Sequence, residues 1–483
     1  MTVEAPSSAK DSQKLEEQPA FHAKLRCGQK VSKEGRIIVG RKGWALRIMT
    51  LLFMTLVASF NIYQGYILGD LLIIYATLVL AHTILILTVG WFFYRNPVRK
   101  NYAGNELVSV IIPVYNQKGM IENVIEAIFK STYSNMEVIA VNDGSKDGTK
   151  EILDALAAKY SRLKVVHKKN EGKRMAVASG FNMSTGKFVI LIDSDSVIDE
   201  NAIAELMNAF DSDPKIGALV GQAKVWNADK NILTRCQDAW YDYSFNIYKV
   251  CESTFGSVTC CSGCLAGYRK EAIADFIPYW SKSQIQYSDD RALTSFAIGS
   301  KRYKLEFLPM MKKLAQMTSK YDDAEDRVLT VHSLVEWKAA YVSSAIVYTD
   351  VPERMKAYFR QQQRWKKGYI RSNFFASVFF WRKNPLMSLI FYTDFMATFT
   401  LPLIIFIVLF YEPFVLREFW TPVVFLISMG LVGVAQGLDY RFRDRTAKDW
   451  KYKPLMNLIS TFVLSWLLFP SLWTLRKNQW LTR

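Results

Sequence analysis

Cysteine is scarce, with six in 483 residues, at positions 27, 236, 251, 260, 261 and 264. All six fall in segments read below as cytosolic, where disulfides are uncommon, so no disulfide framework is expected. Cys260-Cys261-x-x-Cys264 looks like half a zinc site, but no second ligand pair follows at a workable spacing. Acidic side chains are also in deficit: 44 Asp and Glu against 61 Lys and Arg leave a net charge of +17. No nucleic-acid motif accompanies that charge. In a chain with long apolar runs, anionic lipid and a diphosphate-bearing substrate are the partners it suits. A cleavable leader is not expected either, because residues 1–42 are polar, whereas a leader sets a short apolar core behind a brief basic start. Residues 1–32 are mixed in charge and predicted to be disordered.

Long apolar runs are what the chain does have, and apolar residues make up 50% of it. Residues 44–66 and 67–94 are interrupted only by Arg47 and Asp70, and each is long enough to cross a hydrocarbon core of about 30 Å. They predict a transmembrane hairpin within 43–94. Basic residues flank it at Arg36, Arg41 and Lys42 and again at Arg95, Arg99 and Lys100, while residues 61–70 carry none. Both ends are therefore expected on the cytosolic side. A carboxyl-terminal block, 386–475, holds apolar stretches at 386–411, 419–438 and 455–475, with a basic linker at 441–453. Five full crossings would put the end outside, against Arg476, Lys477 and Arg483. Pro470 is expected to break the last stretch into a re-entrant segment, so that 476–483 return to the cytosol. The reading is a multi-pass protein of the cell membrane.

Between these blocks, residues 101–345 alternate strand and helix signals. Residues 107–113, 136–141, 163–167 and 188–192 are short apolar runs rich in β-branched side chains, as in strands buried on both faces of a sheet. Helical periodicity marks 120–130, 148–159, 173–182 and 200–210. This predicts an α/β domain with a mostly parallel, Rossmann-like sheet, inserted between transmembrane helices.

In such a sheet ligands gather at the carboxyl ends of the strands, and there the polar punctuation falls. Tyr115 and Asn116 end the first strand, Asn142-Asp143-Gly144-Ser145 the second, Lys173 and Arg174 follow the third, and Asp193-Ser194-Asp195 ends the fourth. Tyr115, Asp143, Lys173, Arg174 and Asp193 form the candidate nucleotide-binding set. Asp193 and Asp195 would repel each other without a cation between them, and hard oxygen ligands suit Mg²⁺ or Mn²⁺. Asp289-Asp290-Arg291 is the candidate catalytic segment: the two carboxylates could simply begin a helix, or Asp290 could accept a proton from an acceptor hydroxyl. Residues 346–385 are expected to hold amphipathic helices at a membrane interface, because from 351 to 371 apolar and basic side chains alternate as on one such helix. Within them Gln361, Arg364 and Trp365 form a QxxRW motif; Arg364 can grip a diphosphate and Trp365 can offer a face to a sugar ring. Asp394, inside an apolar stretch, either lines a pore or is paired.

Taken together, these motifs resemble family 2 glycosyltransferases of the processive, membrane-embedded kind, with a catalytic domain of the GT-A type, and most closely the hyaluronan synthases. The resemblance covers residues 107–371 by motif and the flanking spans by layout. It implies that Asp143 contacts uridine, Lys173 supports nucleotide binding, Asp193 and Asp195 hold the cation, Asp290 is the base, and QxxRW lies near the diphosphate and acceptor. Cys261-Ser262-Gly263 is similar to the family's acceptor-site segment, and Trp480-Leu481-Thr482-Arg483 to its WGTR segment, which closes over bound nucleotide. The implied substrates are UDP-N-acetylglucosamine and UDP-glucuronic acid, and the implied product is a polysaccharide extruded through the protein's own spans. The sequence departs from the family at Cys264, where Pro is usual, and at Ser288 and Leu481, where Gly is usual. Chitin, chitooligosaccharide and, more distantly, cellulose synthases share the same core motifs.

Overall fold

The computed structural model describes residues 29–32, 34–68, 71–98, 104–282, 289–306 and 334–475. Cys27, Asp70, Ser288 and the WGTR-like Trp480, Leu481, Thr482 and Arg483 lie outside them.

A helical hairpin comes first, α1 (Arg41–Leu68) and α2 (Leu71–Thr88), the second prolonged by a wide turn to Phe93. On α1, Met49, Leu52, Leu56 and Phe60 are all 60% or more exposed. Their spacing of three and four residues makes them one apolar face, which only lipid would cover.

The sheet domain follows as β1 (Val108–Val114), α3 (Ile121–Phe129), β2 (Met136–Asp143), α4 (Thr149–Lys159), β3 (Leu163–Lys168), α5 (Lys173–Met183), β4 (Phe188–Leu191), β5 (Ser196–Ile198), α6 (Ala202–Ser212), β6 (Ile216–Val225), α7 (Ile232–Tyr243), β7 (Ala266–Arg269), α8 (Asp289–Ile298) and β8 (Lys338–Thr349). The strand order is β3-β2-β1-β4-β7-β6-β8-β5. Strands β3, β2, β1 and β4 run parallel, with Val110 opposite both Val138 and Ile190. Strand β7 is antiparallel to both neighbours, so the sheet is mixed. Val110, Ile111 and Ile112 have no exposed surface; each such side chain contributes about 1.5–3 kcal/mol on burial. Strand β8 runs to Thr349, carrying the domain past the boundary expected at 345.

After the sheet come α9 (Met355–Phe380), α10 (Pro385–Phe406), α11 (Trp420–Arg443), α12 (Lys453–Ile459) and α13 (Leu468–Trp473). Five stretches among the described residues are long and apolar enough to cross a membrane, the last being Asp449–Trp473. That last stretch is not one helix but α12 and α13 joined by irregular turns. Near its start, Arg235 on α7 reaches the Tyr452 hydroxyl at 3.2 Å. Just beyond its end, Gln363 on α9 reaches Thr474 at 3.4 Å, and Arg371 donates to the Leu475 carbonyl. Both ends are thus tied to α7 and α9. Asp394, one of two readings of which was pore lining, pairs across helices with His82 of α2 at 3.4 Å.

Candidate active site

The loop after β2 is built around Asp143. Its carboxylate is buried and accepts the backbone N–H groups of Glu171 (3.0 Å) and Gly172 (2.8 Å), which lead into α5. Gly172 stands at φ +96°, a conformation that L side chains rarely adopt. Asn142 fixes the same turn, accepting the Ser145 N–H at 3.0 Å and bonding His167 at 3.0 Å. Tyr115 stands exposed at the end of β1.

Three groups converge on Gly263. A β-carbon there would stand 3.0 Å from Asp290 Oδ1, 3.2 Å from Asp193 Oδ1 and 3.2 Å from Lys173 Nζ. Lys173 donates to Asp193 at 2.5 Å. Burial works against the Lys173 charge, yet Asp193 and Asp290 hold its pKa above the ordinary range. Burial raises the Asp290 pKa, and Asp193 and Asp289 add to the rise, against Lys173 and the Gly263 N–H, which lower it. A carboxyl held in this way is poised as a base. Because Gly263 leaves room for no side chain, Gly263→Ala is expected to displace these groups by tenths of an ångström. Turnover should fall about ten- to a hundredfold, read as UDP release per folded enzyme.

Asp289, grouped with Asp290 from sequence, is engaged elsewhere: Arg174 Nε donates to it, while the Arg174 guanidinium lies 5.6 Å from the Trp280 ring centre. Arg291 turns away from the carboxylates to meet Thr259 (3.2 Å), Asn373 (3.5 Å) and the Tyr369 ring (5.0 Å). Asp195 accepts from Ser196 Oγ at 3.3 Å. The buried Cys261 donates its N–H to Thr294 Oγ1 at 2.9 Å, and Thr294 in turn donates to the Asp290 carbonyl at 2.7 Å. This couples the Cys261-Ser262-Gly263 segment to Asp290. Burial pushes the Cys261 thiol up to about 12, so it is neutral.

The QxxRW motif lies on α9 facing this cluster. Burial lowers the Arg364 pKa, and Asp289, Asp193, Asp290 and Asp195 oppose that lowering, so the guanidinium lies within electrostatic reach of all four carboxylates. Gln361 Oε1 is buried without a hydrogen-bond partner among the described residues. Trp365 stacks on Trp240 of α7 with centroids 5.7 Å apart and planes at 21°. Trp240 was not singled out from sequence. The one local signal near it is the capping box of α7, in which Asn231 and Thr234 bond reciprocally at 3.0 Å.

Residues 109–276 match the family described as glycosyl transferase family 2. A hyaluronan synthase from Streptococcus pyogenes is 28% identical over 90% of this chain and 97% of that protein. An N-acetylglucosaminyltransferase from Rhizobium meliloti is 30% identical over 56% of this chain and 57% of that protein. Among solved structures, a mannosyltransferase from Pyrobaculum calidifontis in complex with GDP-Man and Mn²⁺ covers 82% of this chain and 99% of its own, at 18% identity and a TM-score of 0.49.

Proposed function

We propose, starting from the premise that this chain is a hyaluronan synthase-like family 2 glycosyltransferase, that it polymerises N-acetylglucosamine and glucuronic acid alternately. The donors are the two UDP-sugars, and the product leaves through the protein's own membrane helices. The observation that carries the reading is the convergence of Lys173, Asp193 and Asp290 on Gly263 beside the QxxRW helix. The likeness to the streptococcal enzyme supports it further, because it runs through the spans as well as the catalytic domain.

Asp290 takes the proton of the acceptor hydroxyl as that oxygen attacks the anomeric carbon. A single displacement of this kind inverts configuration and expels UDP. Lys173 and Arg364 bring positive charge to the departing diphosphate, while Trp365, braced by Trp240, aligns the acceptor sugar by its ring face. Asp193 and Asp195 suit Mg²⁺ or Mn²⁺. Among the described residues no cluster of three or more metal-ligating side chains gathers, which fits a cation that takes one or two carboxylates and completes its shell with phosphate and water. Bound there, it would neutralise charge on the leaving diphosphate. The catalytic domain faces the cytosol, where basic residues flank both membrane blocks.

A second reading, a chitooligosaccharide-type synthase, is favoured by the likeness to the rhizobial N-acetylglucosaminyltransferase. Purified protein given each UDP-sugar singly and both together, with Mg²⁺ or Mn²⁺, separates the two. Long polymer is expected only from the pair, and hyaluronidase should digest it. Long polymer from UDP-N-acetylglucosamine alone would replace the first reading by the second.

A further inference from the structure

Arg291 occupies the first turn of α8, where the helix dipole disfavours a cation. Its partners among the described residues are neutral: the Thr259 hydroxyl at 3.2 Å, the Asn373 carbonyl at 3.5 Å and the face of Tyr369 at 5.0 Å. No carboxylate of a described residue forms an ion pair with it, though the side chain is half-buried. Glu252 instead accepts from the Thr259 hydroxyl at 2.6 Å. A half-buried cation with only neutral partners, set against a helix dipole, is costly unless an anion completes it.

Its surroundings point to the anion. Asp290 is its neighbour in the chain. Thr259 opens the loop that carries Cys261 to Gly263. Tyr369 stands one helical turn before Asn373 on α9 and close to Thr398, which lies on membrane helix α10. Arg291 thus stands between the base and the membrane helices, where the sugar behind the acceptor residue must lie. We infer that Arg291 binds the carboxylate of a uronate in the nascent chain, adjacent to the acceptor sugar, and so selects an alternating acidic polymer over a neutral one. This rests on the reading above, since a homopolymer of N-acetylglucosamine has no carboxylate to bind.

The test compares two acceptors ending in N-acetylglucosamine, a hyaluronan oligosaccharide and a chitin oligosaccharide of equal length. Each receives one labelled glucuronate. Arg291→Gln is expected to raise the KM of the acidic acceptor about tenfold, leave that of the neutral one within about twofold, and be rescued in large part by Arg291→Lys. Equal shifts for both acceptors, or a shift confined to the UDP-sugar, overturn the inference. Should Arg291→Gln fail to accumulate, unmutated enzyme with a carboxyl-reduced hyaluronan oligosaccharide reads the same contact: weaker use supports it, and equal use overturns it. Homopolymer from UDP-N-acetylglucosamine alone in unmutated enzyme would overturn the underlying reading and the inference together. A hyaluronidase-sensitive product with no acceptor discrimination would overturn the inference only.

Discussion

Asp290→Asn is expected to lower polymer output and UDP release together by about three orders of magnitude, in the middle of the range that a general base contributes. The amide keeps the shape and can still accept the Gly263 N–H, but it cannot take the acceptor proton. Asp289→Asn is the matched control. Its carboxylate already receives Arg174, so its loss should act through position and cost far less. The pH profile gives an independent check. The rate needs the Asp290 carboxylate, and burial with Asp193 and Asp289 raises its pKa, so the acidic limb should lie above the ordinary aspartate value of about 3.9. Lys173 lowers that pKa, so Lys173→Ala should move the limb to still higher pH, besides weakening UDP binding. Undiminished UDP release by Asp290→Asn would remove it as the base.

The parallel half of the fold was legible because each of its strands is a short, unbroken apolar run closed by turn residues, and the four helices beside it carry clean periodicity. Strands β1 to β4 fall within a residue or two of their expected ends. The other half was not. Strand β7 has four residues, too few for any pattern, and β6 is interrupted by Gly217 and Gly221, which stand where a β-carbon would collide with Trp337 and Leu265. Within the site, the motifs named the carboxylates and pointed to Asp290 as the base, but they could not show that Asp289 is taken up by Arg174 while Asp290 stands beside Lys173 and Gly263. Nor could they find Trp240, whose role is set by a partner 125 residues away on another helix. The helix carrying QxxRW was expected to end near 371 but continues to Phe380, because Asn373, Ala376 and Phe379 are buried on it.

The largest effect on stability is expected at a place that no motif marks. Asp439 on α11, with no exposed surface, accepts from Arg47 of α1 at 2.8 Å and from Arg443 at 2.7 Å. Arg443 also makes a forked pair with Asp242 of α7, at 3.1 and 2.7 Å. Two membrane helices are thereby locked to the catalytic domain through four buried charges. Asp439→Ala leaves Arg47 without its carboxylate and Arg443 with one carboxylate instead of two. Removing one member of such a buried set costs about 3–5 kcal/mol, so unfolding in detergent should begin at a clearly lower temperature. Arg47→Met should cost less, because Asp439 keeps Arg443, and Arg47→Met with Asp439→Leu together should recover part of the loss by removing the stranded charge. Function is tied to the same clamp. Asp238 and Asp242 on α7 face the membrane helices, and Tyr440 donates to Asp238 at 3.0 Å, while Trp240 on the same helix braces Trp365. Loosening the clamp should therefore shorten the polymer before it lowers the rate of UDP release, since the acceptor platform shifts while Asp290 and Lys173 keep their own contacts. Asp439→Ala protein with unmutated thermal stability and product length would show that the clamp holds nothing.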